Sequence, residues 1–255
     1  MWQHRLSTIF SAFVSNHSQY LQIRYIKNSG EELVRVERIR DNQIKIATRA
    51  ELQNKSTAKY VTETVKLPTG KVYFSNVNLN KEHGKIQQPH TPVLRIATPV
   101  HNASGVVKAL VVINLSTNNL FSDAFPTDDG ILRYIVDQAG NYIKHKDINK
   151  AFALEQGHDY NFYNIETEWA KQTRNNNQLM QLNQQETEIF GFNKIFFAPY
   201  DQSRYWLLAM HIPEAKVLSE IKSSLNDMIY LDLLIGAFSL LLILWFVSKR
   251  ILYPI

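Results

Sequence analysis

The chain has 255 residues, with 28 Lys and Arg against 23 Asp and Glu, 45% hydrophobic residues and 20% charged. That balance suits one or two folded domains and excludes a disordered or collagen-like chain. There is no cysteine, which excludes disulfides, thiolate zinc sites, iron–sulfur clusters and cysteine nucleophiles, and a formal charge of +5 is too small and dispersed to point to nucleic acid as a partner.

Residues 1–22 predict an amphipathic helix with Leu6, Ile9, Phe10, Phe13, Val14, His17, Tyr20 and Leu21 on one face. Its apolar runs are only two residues long, so it is not a signal peptide. Next, Arg24-Tyr25-Ile26 leads through Asn28-Ser29-Gly30 into Leu33–Val36, a hairpin pattern. A short helix is predicted near Ala58–Val65, a strand over Lys71–Ser75, and a second hairpin from Leu94–Pro99 through His101–Gly105 to Val106–Leu115. The strand Val106–Ile113 is apolar apart from Lys108, as a central strand buried on both faces would be.

After a join at Phe121–Gly130 the same grammar runs again. Arg133–Val136, Asp137–Gly140 and Tyr142–His145 form a hairpin, out of register with the first by one residue. Glu166–Arg174 reads as a helix and Asn175–Gln185 as a Gln/Asn-rich loop packed at points. Ile195–Pro199 and Tyr205–Ile212 close the unit around Asp201-Gln202. The fold class is therefore α+β, with an antiparallel five-stranded sheet under helices on one face in each half.

Pro213 is placed for the first turn of a final helix, in which Leu218, Ile221, Leu225 and Met228 form a 3-4-3 seam. The seam suits either a homodimer of stalk helices or packing on its own domain. Ile229–Val247 then holds a single charge, Asp232, and spans roughly 28 Å as a helix, the thickness of a bilayer core. Lys249 and Arg250 follow it and place the C-terminus in the cytoplasm and residues 1–228 outside it. Export then requires a membrane helix upstream of Met1, and SKRILYPI (248–255) reads as the start of a longer cytoplasmic segment.

The runs YLQIRYIKNSGEELVRVER (20–38), YFSNVNLNKEHGKIQQPHTPVLRIATPV (73–100) and GVVKALVVINLS (105–116) resemble the periplasmic double-Cache sensor domains of bacterial transmembrane receptors, of the histidine kinase and diguanylate cyclase type. SKRILYPI resembles the beginning of a HAMP linker. The resemblance implies a long N-terminal helix (1–22) and two tandem PAS-like Cache modules, membrane-distal (23–122) and membrane-proximal (123–212). A stalk helix (213–228), a transmembrane helix (229–247) and a linker (248–255) would follow. It also implies a small-molecule ligand in the distal module. The Arg-x-Trp-Tyr segment of the amino-acid-binding Cache receptors is missing from the sequence, so an amino-acid ligand is not supported.

Arg95 is the first ligand-contact candidate, since a guanidinium in an apolar strand binds carboxylate or phosphate bidentately unless a local acid or solvent takes it. Tyr73 and Ser75 share one strand face, Asn114 ends the central apolar strand, and Tyr60 lies on the short helix. Arg24 and Arg35 are expected to bridge the opening hairpin to Glu31 or Glu32. His83, His90 and His101 are either a converging loop cluster or solvated loop residues. No nucleophile elbow, phosphate loop or cofactor motif appears, so no cofactor is expected and any catalysis belongs to a cytoplasmic output domain. The leading expectation is the sensor region of an inner-membrane receptor. The alternatives are a membrane-anchored adaptor that binds a partner protein and a non-functional receptor fragment.

Overall fold

A computed structural model of the chain describes residues 1–39, 43–82, 84–122, 125, 130–183 and 187–247, with the backbone alone at 119 and 240–247. Two antiparallel sheets carry the fold. Helix α1 (Trp2–Asn16) leads into the hairpin of β1 (Tyr20–Lys27) and β2 (Glu32–Arg38). The expected helix through residue 22 therefore ends early. Tyr20 opens a strand that pairs with neighbours on both sides, and two hydrogen-bonded ladders override a helical pattern that Tyr20 and Leu21 only extend.

The first sheet runs β3 (Ile44–Ile46), β2, β1, β9 (Val107–Ser116), β8 (Pro92–His101) and β4 (Tyr73–Phe74), with β5 (Asn78–Leu79) also on β8. A ribbon of β6 (Lys81–Glu82) and β7 (Lys85–Ile86) lies beside it. On one face α1 buries Phe10 and Val14 against Ile23, Val34 and Val36. On the other, α2 (Lys59–Thr64) lays Tyr60 and Val61 over Ile26, Ala97, Leu110 and Val112. The expectation of five strands with helices on one face is thus corrected for this half. Its sheet has seven strands and a helix on each face, which is why the central β9 reads as nearly continuous apolar sequence.

Helix α3 (Thr117–Leu120) starts the connection to the second half, and much of the expected join at 121–130 lies outside the described residues. The second sheet has five strands in the order β11 (Tyr142–Lys144), β10 (Leu132–Asp137), β14 (Tyr205–Pro213), β13 (Glu188–Phe196) and β12 (Gln178–Asn183). Strand β12 corrects the expectation of a loop over 175–185. It is an exposed edge strand, so its glutamines face water and hide a ladder that runs from Gln178 opposite Asn193 to Asn183 opposite Glu188. Helices α4 (Phe162–Ile165) and α5 (Thr167–Asn175) cover one face, and Phe162 and Trp169 join Tyr134, Tyr142 and Phe190 in an aromatic core.

The two halves repeat one device. Gly30 and Gly140 end their turns with φ of 91° and 86°, and each donates its N–H to the carbonyl three residues back. Each glycine's own carbonyl then accepts from a later segment that crosses the turn, Lys55 in one half and Phe162 in the other. A Cβ at Gly30 would lie 2.3 Å from the Ser56 backbone, and one at Gly140 2.5 Å from Asn161 Oδ1. The sheets meet where Val77, Leu94 and Phe121 pack on Ile135, Ile143 and Trp206, with the Trp206 ring 5.1 Å from Phe121 and stacked 4.4 Å from Phe197.

Helix α6 (Glu214–Val247) leaves β14 directly, beginning one residue after Pro213, and its 34 residues extend about 51 Å. Leu218, Ile221, Leu225 and Met228 are 48–63% exposed, so within one chain the seam does not pack on the domain. Among the described residues no helix is long and apolar enough to cross a membrane. The expected span Ile229–Val247 lies in the C-terminal part of α6; the side chains of 240–247 and all of 248–255, including the HAMP-like residues, lie outside the described set.

Gly30→Ala and Gly140→Ala are each expected to destabilise the chain by about 1–3 kcal/mol from backbone conformation alone, with the steric clash added. Urea denaturation of each variant against the parent measures this.

Candidate ligand-binding site

The strand period places Gln22, Arg24 and Ile26 of β1 on the face that α2 covers, beside Asn114 and Val112 of β9 and Arg95 and Ala97 of β8. Half of this face is apolar and half is an ionic network. Arg24, 2% exposed, lies with Nε 3.2 Å from Glu32 Oε1 and Nη2 3.3 Å from Glu82 Oε1, and Nη1 donates to the Tyr60 hydroxyl at 3.0 Å. The Arg24–Glu32 contact is an ion pair that is not aligned as a hydrogen bond. Glu32 Oε2 also faces Arg35 at 3.4 Å and accepts the Gln53 N–H at 3.0 Å. The expected bridging role of Arg24 and Arg35 is therefore met by Glu32, while Glu31 pairs with Lys27 on the surface.

Glu82 extends the network. It accepts from Gln53 Nε2 at 2.8 Å and Asn80 Nδ2 at 3.2 Å, and Asn80 Oδ1 accepts from Arg95 Nη2 at 3.0 Å. Burial alone would raise the Glu82 pKa, but the Arg24 charge and the Gln53, Lys55 and Asn80 contacts outweigh it and hold the carboxyl below its ordinary range. Burial pushes the Tyr60 hydroxyl up. Burial and the neighbouring Arg24 charge lower both Arg95 and Lys55.

Beyond this network opens a cavity of about 690 Å³, a volume typical of small-molecule sites. It brings together four of the five candidate residues, Tyr60, Tyr73, Ser75 and Arg95. The Arg95 guanidinium lies 5.6 Å from the Tyr60 ring centre, and its Nε has no hydrogen-bond partner. Ser75 is committed locally, donating to the Asn76 carbonyl at 2.6 Å and accepting the Arg95 N–H at 2.8 Å, so it shapes the wall. Tyr73, half-buried with its pKa raised by burial, faces the cavity as the two-residue period predicts. Asn114 is not brought to them. It bonds Gln22 at 3.1 Å and lines a separate cavity of about 80 Å³ with Asn80, Glu82 and Gln87.

Residues of the second half complete the larger cavity, and these were not read from sequence. Arg204 Nη1 donates to the Phe74 carbonyl and Nη2 to Asn76 Oδ1 at 2.9 Å. Glu155 Oε1 accepts from Asn78 Nδ2 at 3.3 Å and from the Leu79 N–H at 3.1 Å. No local pattern marks either residue, because Glu155, on a short 3-10 helix, and Arg204, in the turn before β14, reach the site from more than 70 positions away. The Arg24 network, by contrast, left a signal: a charge on the same strand face as Ile26. Among the described residues no cluster of three or more His, Asp or Glu is placed to hold a metal ion; His83 lies outside them.

The family described as bacterial histidine kinase, sensor domain, matches residues 2–208. No curated protein matches the chain. Among solved structures, the extracellular domain of a protein assigned as histidine kinase vpHK1S-Z8 superposes with a TM-score of 0.73 at 20% identity, over 89% of this chain and 80% of that one. A domain of a protein assigned to the sensory box/GGDEF family of Vibrio parahaemolyticus gives 0.72 at 20% identity, over 84% and 79%. The periplasmic sensory domain of the Campylobacter jejuni chemoreceptor Tlp1 gives 0.59 at 12%, over 84% and 80%. At these identities the likeness shows a shared fold.

Glu32→Gln removes the anion between Arg24 and Arg35 and is expected to cost about 3–5 kcal/mol, read by urea denaturation. The pH dependence follows from Glu82. Its lowered folded-state pKa contributes stability above the ordinary glutamate value of about 4.3, and that stability is lost as pH falls through the lower folded value. Glu82→Gln should therefore flatten the acid side of a melting-temperature profile.

Proposed function

The chain belongs to the family of bacterial histidine kinase sensor domains, and on that premise we propose that it is the extracytoplasmic ligand-sensing region of a membrane receptor. A small molecule binds the membrane-distal module at the cavity of Tyr60, Tyr73, Ser75 and Arg95. The observation that carries the reading is this cavity of about 690 Å³, lined by a partly buried arginine whose guanidinium pairs with no carboxylate among the described residues. The adaptor alternative called for a distal module without a cavity, so the cavity argues against it.

Output follows the chain. Strand β14 pairs along nine residues with β13 and passes directly into α6, so a shift in the module is delivered to a rigid rod. Residues 229–247 form the bilayer span, with residues 1–228 on the periplasmic side of the bacterial inner membrane. The exposed seam of Leu218, Ile221, Leu225 and Met228 pairs two stalks in a homodimer. A ligand shifts such a pair only through its different affinity for two stalk arrangements.

Because the protein has no cysteine, single introduced thiols test the topology and the seam. In spheroplasts, Ser29→Cys at the exposed hairpin tip should react with a membrane-impermeant maleimide, and Lys249→Cys should react only after lysis. The reverse pattern would sink the receptor reading. Leu225→Cys should cross-link to a dimer under mild oxidation while Ser29→Cys does not.

A further inference from the structure

We propose that the cavity takes a small organic dianion whose two acidic groups engage Arg95 of the distal module and Arg204 of the proximal one, so that the ligand bridges the modules. This deepens the distal-site reading and rests on it.

The argument begins with charge. Lys59, Lys81, Arg95 and Arg204 line the cavity together with Glu63, Glu155 and Asp201. Each acid is already engaged elsewhere. Glu63 pairs with Lys66 at 2.9 Å, Glu155 accepts the Asn78 and Leu79 N–H groups, and Asp201 accepts the N–H and hydroxyl of Ser203 at 3.0 and 2.6 Å. Among the described residues no carboxylate forms an ion pair with Arg95 or Arg204; their direct partners are neutral oxygens and aromatic rings. Glu155 and Asp201 offset the Arg95 and Arg204 charges only through space, so these two partly buried guanidinium groups lack an anion in direct contact, which a bound anion supplies.

Geometry adds specificity. The Arg95 guanidinium lies within cation–π range of the Tyr60 ring, its Nη2 donates to Asn80 Oδ1, and its Nε is enclosed with no hydrogen-bond partner. Among the described residues nothing accepts from Arg95 Nη1, which leaves that end of the guanidinium for a carboxylate or phosphate oxygen. The two arginines hold neighbouring residues of one segment: the Arg95 backbone pairs with Ser75 in both directions, and the Arg204 guanidinium holds Phe74 and Asn76. Tyr73 of this segment senses both charges. A dianion here therefore ties the distal strand β8 to the turn that precedes β14, and β14 is the strand that runs into α6.

The test is thermal shift and calorimetry on the full chain in detergent, with succinate, malate, 3-phosphoglycerate and inorganic phosphate as probes and succinamide as the neutral control. At least one of the organic diacids should raise the melting temperature in a saturable way while succinamide does not, and the two dicarboxylates against 3-phosphoglycerate tell which pair of acid groups is preferred. Arg95→Gln and Arg204→Gln should each weaken that binding at least about tenfold. Arg95→Lys and Arg204→Lys, which keep the charge, should lose less and so separate lost recognition from lost folding. Silence from all four anions, or an equal response to succinamide, overturns the proposal. If anions fail while a wider panel of neutral metabolites still stabilises the parent but not Tyr60→Ala, the dianion falls and the distal ligand site stands. If Arg204→Gln binds as the parent does, the bridge is overturned and the distal site is kept.

Discussion

The structure of the candidate site depends on one buried ion pair. Arg24 and Glu32 face each other across the opening hairpin, both 2% exposed. Desolvating two charges costs several kcal/mol per ion, and the return comes only if the remaining donors and acceptors are filled. Here they recruit Arg35, Gln53, Tyr60 and Glu82, which belong to four separate stretches of the first module. The network thereby pins the short helix and the β6 turn to the sheet. Asn80, drawn in through Glu82, then orients Arg95.

Comparison of the two modules shows what this charge replaces. Aligning the glycines of the two turns sets Arg24 opposite Tyr134 and Glu32 opposite Tyr142. Those tyrosine rings meet at 5.5 Å inside a core completed by Phe162, Trp169 and Phe190. The same backbone device thus encloses an ionic network in one module and stacked aromatic rings in the other. Aromatic surface fills its space by non-directional packing, whereas a charge network must leave polar groups pointing somewhere, and Arg95 is the group left over. The one-residue slip between the hairpins read from Arg-Tyr-Ile in each half has its explanation here. The glycine turn sets the register, and the repeated tripeptide falls on opposite faces of the two sheets.

The junction between modules joins an apolar contact to a polar clasp. Val77, Phe121 and Trp206 supply the apolar part, and Arg204 and Glu155 reach back to hold residues 74–79. The clasp residues are also the cavity wall, so any occupant alters the same contacts that set the modules against each other. In the proposed receptor such coupling would give a route from ligand to stalk that needs no distant pathway, since Tyr205–Pro213 runs from the clasp to the base of α6.

The sequence by itself determined the hairpins, the tandem order, the short helix of Tyr60, the apolar seam after Pro213 and the face shared by Tyr73 and Ser75; that the seam is exposed was decided by the structure. These are local features: turn glycines, a two-residue or 3.6-residue period and a proline act within a few positions. Only the tertiary structure decided that α1 stops at Asn16, that the glutamine-rich stretch is an edge strand, that Asn114 belongs to a different cavity from Arg95, and that Arg204 and Glu155 complete the site. Each of these depends on a partner far along the chain, whether a second ladder or a carbonyl presented by the other module. No local pattern of residues encodes which distant group will arrive.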